Sequence, residues 1–309
     1  MGAFSVAFTA AATSPDSTFN LATYNIRLQT PTDDAQGDGW QRRRGPLTEL
    51  VGFHRFDIFG TQEGFKNQLE DIKSALPGYQ YIGVGRDDGA EKGEHAAIFY
   101  REDLFDLLDH GDFWLSETPS RPGLGWDAAC VRICTWGMFR HRPSGKEFLY
   151  FNLHLDHVGV VARAESAKLI ARKIDEIDST VPVFLSGDFN VDQHSADYQT
   201  ILNSGTLVDS FGKAKVVYAP TGTFNAFDTD SWSDNRIDHI FLSPEVEVSR
   251  YGILTDTYRS REAVANDPEA ASVPDKIETG TAPAEIDIYR YEARTPSDHF
   301  PVLITVTLP

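Results

Sequence analysis

Basic residues are scarce in this sequence. Its 309 residues include 28 Lys and Arg against 46 Asp and Glu, so the formal net charge is -18 at pH 7. A field of this sign repels polyanions, which disfavours tight nonspecific binding of long DNA or RNA. The charge is compatible with a small phosphorylated substrate, because one local cation can attract such a molecule.

Cysteine is scarce too, since Cys130 and Cys134 are the two in the chain. On an extended strand, residues four apart lie about 13 Å from each other, whereas a disulfide needs Cα atoms within about 7 Å. A zinc site would need more ligands than this segment offers. We therefore expect both to be small core or strand residues.

Long apolar runs are missing as well. None approaches the roughly 18 residues of a membrane-spanning helix, so no membrane span is expected. The start, MGAFSVAFTAAATSPDSTF, is apolar and small, but it lacks the basic opening and Leu-rich centre of a secretory signal. Residues 1–18 are interpreted as a flexible leader or a signal remnant, which leaves the compartment open between cytoplasmic and exported.

The composition is that of a globular protein with ample material for a core, at 41% hydrophobic and 12% aromatic residues. Helices are predicted around Leu47 to Val51, over 65–76 and over 161–177. The predicted strands lie at 19–28, 56–63, 79–85, 95–101, 132–141, 147–157, 181–190, 236–243 and 300–308. Many strands with few helices predict two packed sheets with helices outside. We expect one domain over 19–309, with an insertion at about 251–295.

Polar side chains recur where these apolar strands end. Rigid strand ends are places where functional sites are built, and carboxylates with amides, rather than cysteines, suit a hard cation such as Mg²⁺. The residues are Asn25 in YNIR, Glu63 in TQE, His154 in NLHLDH, Asp188 and Asn190 in GDFN, Asp238 in RIDHIF, and Asp298 and His299 in SDHFP.

Each motif alone also has a structural interpretation. GDFN is compatible with an Asx-turn, TQE with a solvated strand end, and SDHFP with a turn before an edge strand. HLDH could suggest zinc, but on a strand His154 and Asp156 face one side and His157 the other, so zinc is the weaker interpretation.

The order of these motifs along the chain resembles the endonuclease/exonuclease/phosphatase superfamily, from Asn20 to Thr307. GWDAACVRICTWGMF and NLHLDHVGVVARAESA resemble its bacterial metal-dependent hydrolases. The resemblance implies a four-layer αββα sandwich like that of deoxyribonuclease I, with two mixed, mostly antiparallel sheets. It also implies a hydrolase that acts on phosphate ester bonds.

The resemblance further implies a metal and a base. Glu63 would be the principal Mg²⁺ ligand, assisted by Asn25 and Asp298, and Mn²⁺ could substitute for Mg²⁺. Asp188 would be the general base that deprotonates the attacking water. Asn190 would hold that water or a phosphate oxygen.

Two imidazoles and an arginine complete the implied site. His299 would donate to a phosphoryl oxygen while Asp238 fixes its ring. His154 would be the second imidazole on the phosphate, oriented by Glu94 in KGEHAA. Arg132 would contact the phosphate.

The expected function is therefore a Mg²⁺-dependent phosphoesterase, monomeric, that hydrolyses a small or terminal phosphate monoester or diester by in-line attack of water. The alternatives are a metal-dependent nuclease or deadenylase, a zinc hydrolase, and a non-catalytic binding module on the same fold. The tryptophans are core residues or candidates for the mouth of the site, and Trp126 and Trp232 are expected to be more exposed than Trp114 and Trp136.

Overall fold

A computed structural model describes residues 16–177, 180–203, 206–260, 276, 289 and 291–309. Most of the predicted leader, residues 1–15, lies outside this part of the chain. So does much of the predicted insertion, at 261–275, 277–288 and 290. Within the described residues, no helix has the length and apolar character needed to cross a bilayer.

Strands make up most of the regular structure. In chain order, those of the described residues are β1 (Thr18–Asn25), β2 (Ile58–Gln62), β3 (Tyr79–Ile82), β4 (Ile98–Arg101), β5 (Phe105–Trp114), β6 (Ile133–His141), β7 (Glu147–His154), β8 (Val183–Asp188), β9 (Val208–Asp209), β10 (Val216–Tyr218), β11 (Asp238–Leu242), β12 (Glu247–Ile253), β13 (Tyr258–Ser260), β14 (Glu292–Arg294) and β15 (Val302–Thr307).

The helices are fewer. They are α1 (Pro31–Gln36), α2 (Trp40–Phe53), α3 (Lys66–Ala75), α4 (Val160–Ile177), α5 (Ala196–Asn203) and α6 (Ser210–Lys213). In α4, Ala167, Ile170 and Ile174 are buried on one face, as their spacing predicted.

The strands form two large mixed sheets. The seven-stranded sheet has the order β10-β12-β15-β1-β2-β4-β3, and its parallel pairs are β1 with β2 and β10 with β12. The six-stranded sheet has the order β5-β6-β7-β8-β11-β9, in which β7 with β8 is the parallel pair. All other neighbours within these two sheets are antiparallel. A separate two-stranded antiparallel sheet pairs β13 with β14.

Three apolar cores define the layers. One lies between the two sheets and includes Phe19 of β1 and Phe148 of β7. A second packs the six-stranded sheet against α4 and α5, and a third packs the seven-stranded sheet against α2 and α3. The order helix, sheet, sheet, helix confirms the predicted four-layer sandwich.

Alternation along the strands decides which side chains meet between the sheets. In β7, Phe148 and Tyr150 lie in the core between the sheets, whereas Leu149 and Phe151 face the helices. Because the side-chain period of a strand is two, His154 at the end of β7 lies on the same face as Phe148. On this inner face of β7, apolar side chains line the core between the sheets, and a polar side chain follows at the end of the strand.

A buried polar layer separates the apolar core from those strand ends. The side-chain amide of Asn152 in β7 donates to the carbonyl oxygens of Thr61 and Ala97, at 2.9 and 3.0 Å. Its oxygen accepts from Gln62 of β2 at 2.7 Å. A Cβ on Gly60 would lie 2.2 Å from that oxygen, so the close approach of β2 requires glycine. These bonds fix the spacing of the two sheets directly below the strand ends.

Candidate active site

The register of the six-stranded sheet aligns three polar residues. His154 pairs with Asp188 across β7 and β8, and Asp238 pairs with Asp188 across β8 and β11. All three are buried and lie at one edge of the sheet. Gly187 permits this register, because a Cβ there would lie 2.1 Å from the carbonyl oxygen of Leu153.

The seven-stranded sheet contributes Asn25 and Glu63 opposite this row. Asn25 ends β1 beside Gln62, which ends β2, and Glu63 follows with a left-handed φ of 65°. This conformation is costly for a residue with a Cβ, and it turns the chain sharply at the end of the strand. The amide of Asn25 donates to Glu63 Oε1 and to Asp188 Oδ2, both at 3.0 Å. One amide thus joins carboxylates from the two sheets.

His299 lies just before β15 and pairs with Asp238. Its Nδ1 is 2.8 Å from Asp238 Oδ2, and its Nε2 is 3.7 Å from Asp188 Oδ2. Burial lowers the pKa of His299, but the charges of Asp238, Asp188 and Asp298 outweigh burial, and the resulting pKa is well above the ordinary value. The imidazolium form of His299 is therefore favoured, and this form can donate from Nε2.

His154 has the opposite electrostatic environment. Burial, and then the charges of Arg132 and Arg86, hold the pKa of His154 well below its ordinary value. Its Nε2 lies 3.0 Å from the amide nitrogen of Asn190. Its buried Nδ1 has no hydrogen-bond partner among the described residues and is 3.8 Å from Glu94 Oε2.

Glu94 therefore does not hydrogen-bond to His154 in this structure, although the sequence predicts that Glu94 orients it. Its carboxylate accepts from the guanidinium of Arg86 instead. Burial raises the pKa of Glu94, and the charge of Arg86 opposes that shift.

GDFN is both a turn and part of the cleft. The backbone N–H of Asn190 donates to Asp188 Oδ1 at 2.9 Å, which is an Asx-turn, and Asn190 has a left-handed φ of 52°. Burial, followed by the charge of Asp238, raises the pKa of Asp188 to about 7. A carboxylate with such a pKa can accept a proton near neutral pH.

These groups surround one cleft of about 380 Å³. Eight predicted residues line it: Glu63, Glu94, Arg132, His154, Asp188, Asn190, Asp298 and His299. The other two, Asn25 and Asp238, lie behind this lining and bond to it. All ten residues named from the sequence are therefore gathered at one place.

The cleft also contains residues that the sequence analysis did not name as site residues: Arg27, Leu28, Arg86, Cys130, His157, Phe224 and Ile237. Arg27 is two residues from Asn25, so its proximity could have been inferred. Phe224 is 47% exposed, and its ring centroid lies 5.0 Å from that of His299. No tryptophan lines this cleft within the described ranges, and Trp232, 72% exposed, lies outside it.

Two interpretations of the sequence were wrong. Cys134 is a buried strand residue, but Cys130 precedes β6 and lines the cleft. Strand β7 ends at His154, so the alternation applied to HLDH does not extend to Asp156. Asp156 instead accepts four backbone N–H bonds and an Arg132 Nε–H bond. It thereby anchors the loop that carries Arg132.

Three side chains of the cleft can hold a metal ion together. The ligand atoms of Glu63, His154 and Asp188 all lie within 4.8 Å of one another. Burial and, to a lesser degree, the charge of Glu63 raise the pKa of Asp298, whereas Arg27 opposes the shift from 3.6 Å. Several carboxylates thus share one cleft, at an electrostatic cost that a divalent cation would relieve.

A model of the Endonuclease/Exonuclease/phosphatase family matches residues 22–299. A solved family protein from Bacteroides thetaiotaomicron is 50% identical, with a TM-score of 0.85 over 95% of this chain and 99% of the other. A mannosyl-6-phosphatase from the same organism is also 50% identical, with a TM-score of 0.82 over 93% and 99%. A Bacteroides vulgatus protein is 37% identical, with a TM-score of 0.78 over 94% and 99%. The comparison with curated proteins gave no match.

Proposed function

The chain belongs to the endonuclease/exonuclease/phosphatase family and is a phosphate ester hydrolase, and we propose that it is a Mg²⁺-dependent phosphatase of small phosphorylated sugars. The observation that carries this proposal is the bridge from Asn25 to both Glu63 and Asp188. It brings a candidate metal ligand and a candidate base from opposite sheets to one cleft.

Glu63, with Asn25 and Asp298, would hold the Mg²⁺. When bound, the ion would neutralise charge on the phosphate and stabilise the leaving oxygen. Asn25 already donates to Glu63 Oε1, and the backbone N–H of Leu28 donates to Glu63 Oε2 at 3.1 Å. These bonds fix the orientation of the Glu63 carboxylate.

Asp188 would accept a proton from the attacking water. Its Oδ1 is held by the backbone N–H of Asn190 and its Oδ2 by Asn25, so the carboxylate has a fixed orientation. Fixed placement of the water relative to phosphorus supplies much of the rate gain in such reactions. Asn190 would hold the same water or a phosphate oxygen.

His299 would donate its Nε2 proton to a phosphoryl oxygen. Asp238 orients the ring and favours the imidazolium, as described above. His154 and Arg132 would bind the other phosphate oxygens. Arg132 is fixed by Asp156, and its Nη2 lies 3.0 Å from His157 Nδ1, so its guanidinium is restrained at the wall of the cleft.

The sugar phosphate is proposed from two observations. A solved structure that is 50% identical over most of both chains is that of a mannosyl-6-phosphatase. The net charge of -18 disfavours a long polyanion, whereas the small cleft can take a single phosphate group.

A substrate panel tests the proposal. Mannose 6-phosphate, other sugar phosphates, nucleotides, inositol phosphates, phospholipid head groups and short oligonucleotides are assayed with Mg²⁺, Mn²⁺ or Zn²⁺. We expect the highest kcat/KM on a sugar monophosphate with Mg²⁺ or Mn²⁺. Faster, salt-weakened cleavage of oligonucleotides would support a nuclease instead, and activity with Zn²⁺ that Mg²⁺ cannot replace would support a zinc hydrolase. No turnover of any ester would support a binding module.

A further inference from the structure

Arg86 is a cleft residue that carries none of the roles assigned above. It lies in the segment between β3 and β4, where its backbone N–H donates to the carbonyl of Glu94 at 3.0 Å. Its carbonyl accepts from the indole N–H of Trp114 at 2.7 Å. The backbone on which this side chain stands is therefore held from two directions.

The guanidinium of Arg86 is largely buried beside the proposed phosphate-binding residues. Its side chain is 14% exposed, and it lines the cleft together with Arg132 and His154. Nη1 donates to Glu94, whereas the buried Nε has no hydrogen-bond partner among the described residues and lies 3.9 Å from the exposed carboxylate of Asp87. An unsatisfied buried donor is costly, and the cost is removed when a ligand supplies the acceptor.

Glu94 orients this guanidinium. The carboxylate is engaged by Arg86, while His154 Nδ1 remains 3.8 Å away. The planar guanidinium is thus fixed in the wall of the cleft and keeps N–H groups that can donate to a ligand. The geometry of these donors matches that of phosphate oxygens.

Resting on the proposed function, we propose that Arg86 is a specificity-determining residue that binds the substrate phosphate and favours phosphate monoesters over diesters. A monoester has three non-bridging oxygens and, near neutral pH, up to two negative charges. A diester has two such oxygens and one charge. Arg86 supplies a cation and donors for the third oxygen, whose position in a diester is occupied by a second ester group.

The test compares two substrates that differ by one methyl group, 4-nitrophenyl phosphate and methyl 4-nitrophenyl phosphate, with Mg²⁺ at saturation. In Arg86→Gln, we expect kcat/KM for the monoester to fall about 10- to 100-fold, the loss of one or two charge-assisted hydrogen bonds. The diester should change less than about threefold, because it lacks the oxygen that Arg86 is proposed to bind. Arg86→Lys keeps the charge and should recover part of the loss.

Two further variants separate substrate binding from a structural role. Arg140→Gln removes a 44% exposed arginine at the opposite end of the β6–β7 hairpin and should leave both rates unchanged. Glu94→Gln keeps the Arg86 cation and should reduce the monoester preference less than Arg86→Gln does. The proposal is overturned if Arg86→Gln lowers kcat/KM equally for the monoester and the diester. It is also overturned if this variant prefers the monoester as strongly as the wild type does.

Binding of inorganic phosphate distinguishes this failure from failure of the proposed function. Calorimetric titration should show about tenfold weaker binding to Arg86→Gln than to the wild type. If the wild type hydrolyses no ester of the substrate panel and neither nitrophenyl ester, the proposed function fails. Equal phosphate affinity of the wild type and Arg86→Gln would then overturn the role of Arg86 as well.

Discussion

Nδ1 of His299 lies 2.8 Å from Oδ2 of Asp238, although the two residues are 61 positions apart and adjoin strands of different sheets. Asp238 opens β11 of the six-stranded sheet, and His299 precedes β15 of the seven-stranded sheet. The pair is buried and lies beside Asp188. Docking of the two sheets is thus what creates an oriented imidazolium at the cleft.

Replacement of Asp238 by Asn should slow the reaction and change its pH dependence. We predict that kcat falls about 100-fold or more, the range for a disabled acid or base. Removal of the carboxylate lowers the pKa of His299, so the protonated form is lost at lower pH. The alkaline limb of the kcat/KM profile should therefore move to lower pH.

Steady-state rates from pH 5 to 10 measure this shift. Asp234→Asn is the matched control, since Asp234 is exposed and four residues away. An alkaline limb that stays in place in Asp238→Asn would show that His299 does not act as the acid.

Replacement of Asp188 by Asn should abolish most activity. At high pH it should also stabilise the folded state, because the variant has no buried carboxylate to ionise. We predict a loss of at least about 100-fold in turnover. Burial first, and then Asp238, raise the pKa of Asp188 to about 7. Because the unfolded value is about 4, the folded state binds more protons, and stability falls as pH rises between about 4 and 7.

Melting temperatures in EDTA test the second part. The melting temperature of Asp188→Asn should rise relative to that of the wild type as the pH increases from 4 to 8. A constant difference across this range would contradict the electrostatic account, and turnover like that of the wild type would contradict the assignment of the base.

Replacement of Asp156 by Asn should lower the acid stability of the fold. Burial raises the pKa of Asp156, but four backbone N–H donors outweigh burial and depress it well below the ordinary value. This stabilisation is present above the unfolded pKa and is lost as pH falls below about 4. We predict that Asp156→Asn loses about 3 kcal/mol at pH 7, partly because buried Arg132 is left without its partner.

Urea unfolding at pH 7 and at pH 3 measures this loss, which should shrink at the lower pH. Asp175→Asn, an exposed change on α4, should have no comparable effect at either pH. An equal loss for Asp156→Asn at both values would mean that the charge of Asp156 is not what the backbone amides stabilise.

Replacement of Gly60 by Ala should disturb the polar layer below the site. The added Cβ would lie 2.2 Å from Asn152 Oδ1, and we predict a loss of about 1–3 kcal/mol, as for other overpacked cores. Gly52→Ala is the control, because no atom lies within 4 Å of a Cβ there. In an Asn152→Ala background, Gly60→Ala should cost much less; equal costs in the two backgrounds would show that Asn152 is not the source of the strain.

The strand-end residues were predictable because their signals are local. In β8, a buried apolar run leads into Asp188, and a period of two places that carboxylate on the inner face. Asn25 and His154 follow the same rule in β1 and β7. The fold was predictable from the order of these motifs, because the motifs are spread along almost the whole chain.

The loop residues were not predictable in the same way. The position of Arg86 depends on the indole of Trp114, 28 residues away, and that of Cys130 on the carboxylate of Asp156. Strand β5 was missed because FDLLDHGDFW alternates irregularly, and its register with β6 shifts between Leu107 and Asp109. The order of residues along the chain also does not reveal that the carboxylate of Glu94 accepts from Arg86, while His154 Nδ1 lies 3.8 Å away.

In the proposed site, Glu63 holds a divalent cation beside Asp188 and His299. Anomalous diffraction from a crystal soaked in Mn²⁺ locates such an ion. We expect an ion within about 2.6 Å of a Glu63 carboxylate oxygen in the wild type, and no ion in crystals of Glu63→Gln treated in the same way. A wild-type cleft without an ion, or an ion bound at Cys130 and His157 and away from Glu63, would refute this assignment.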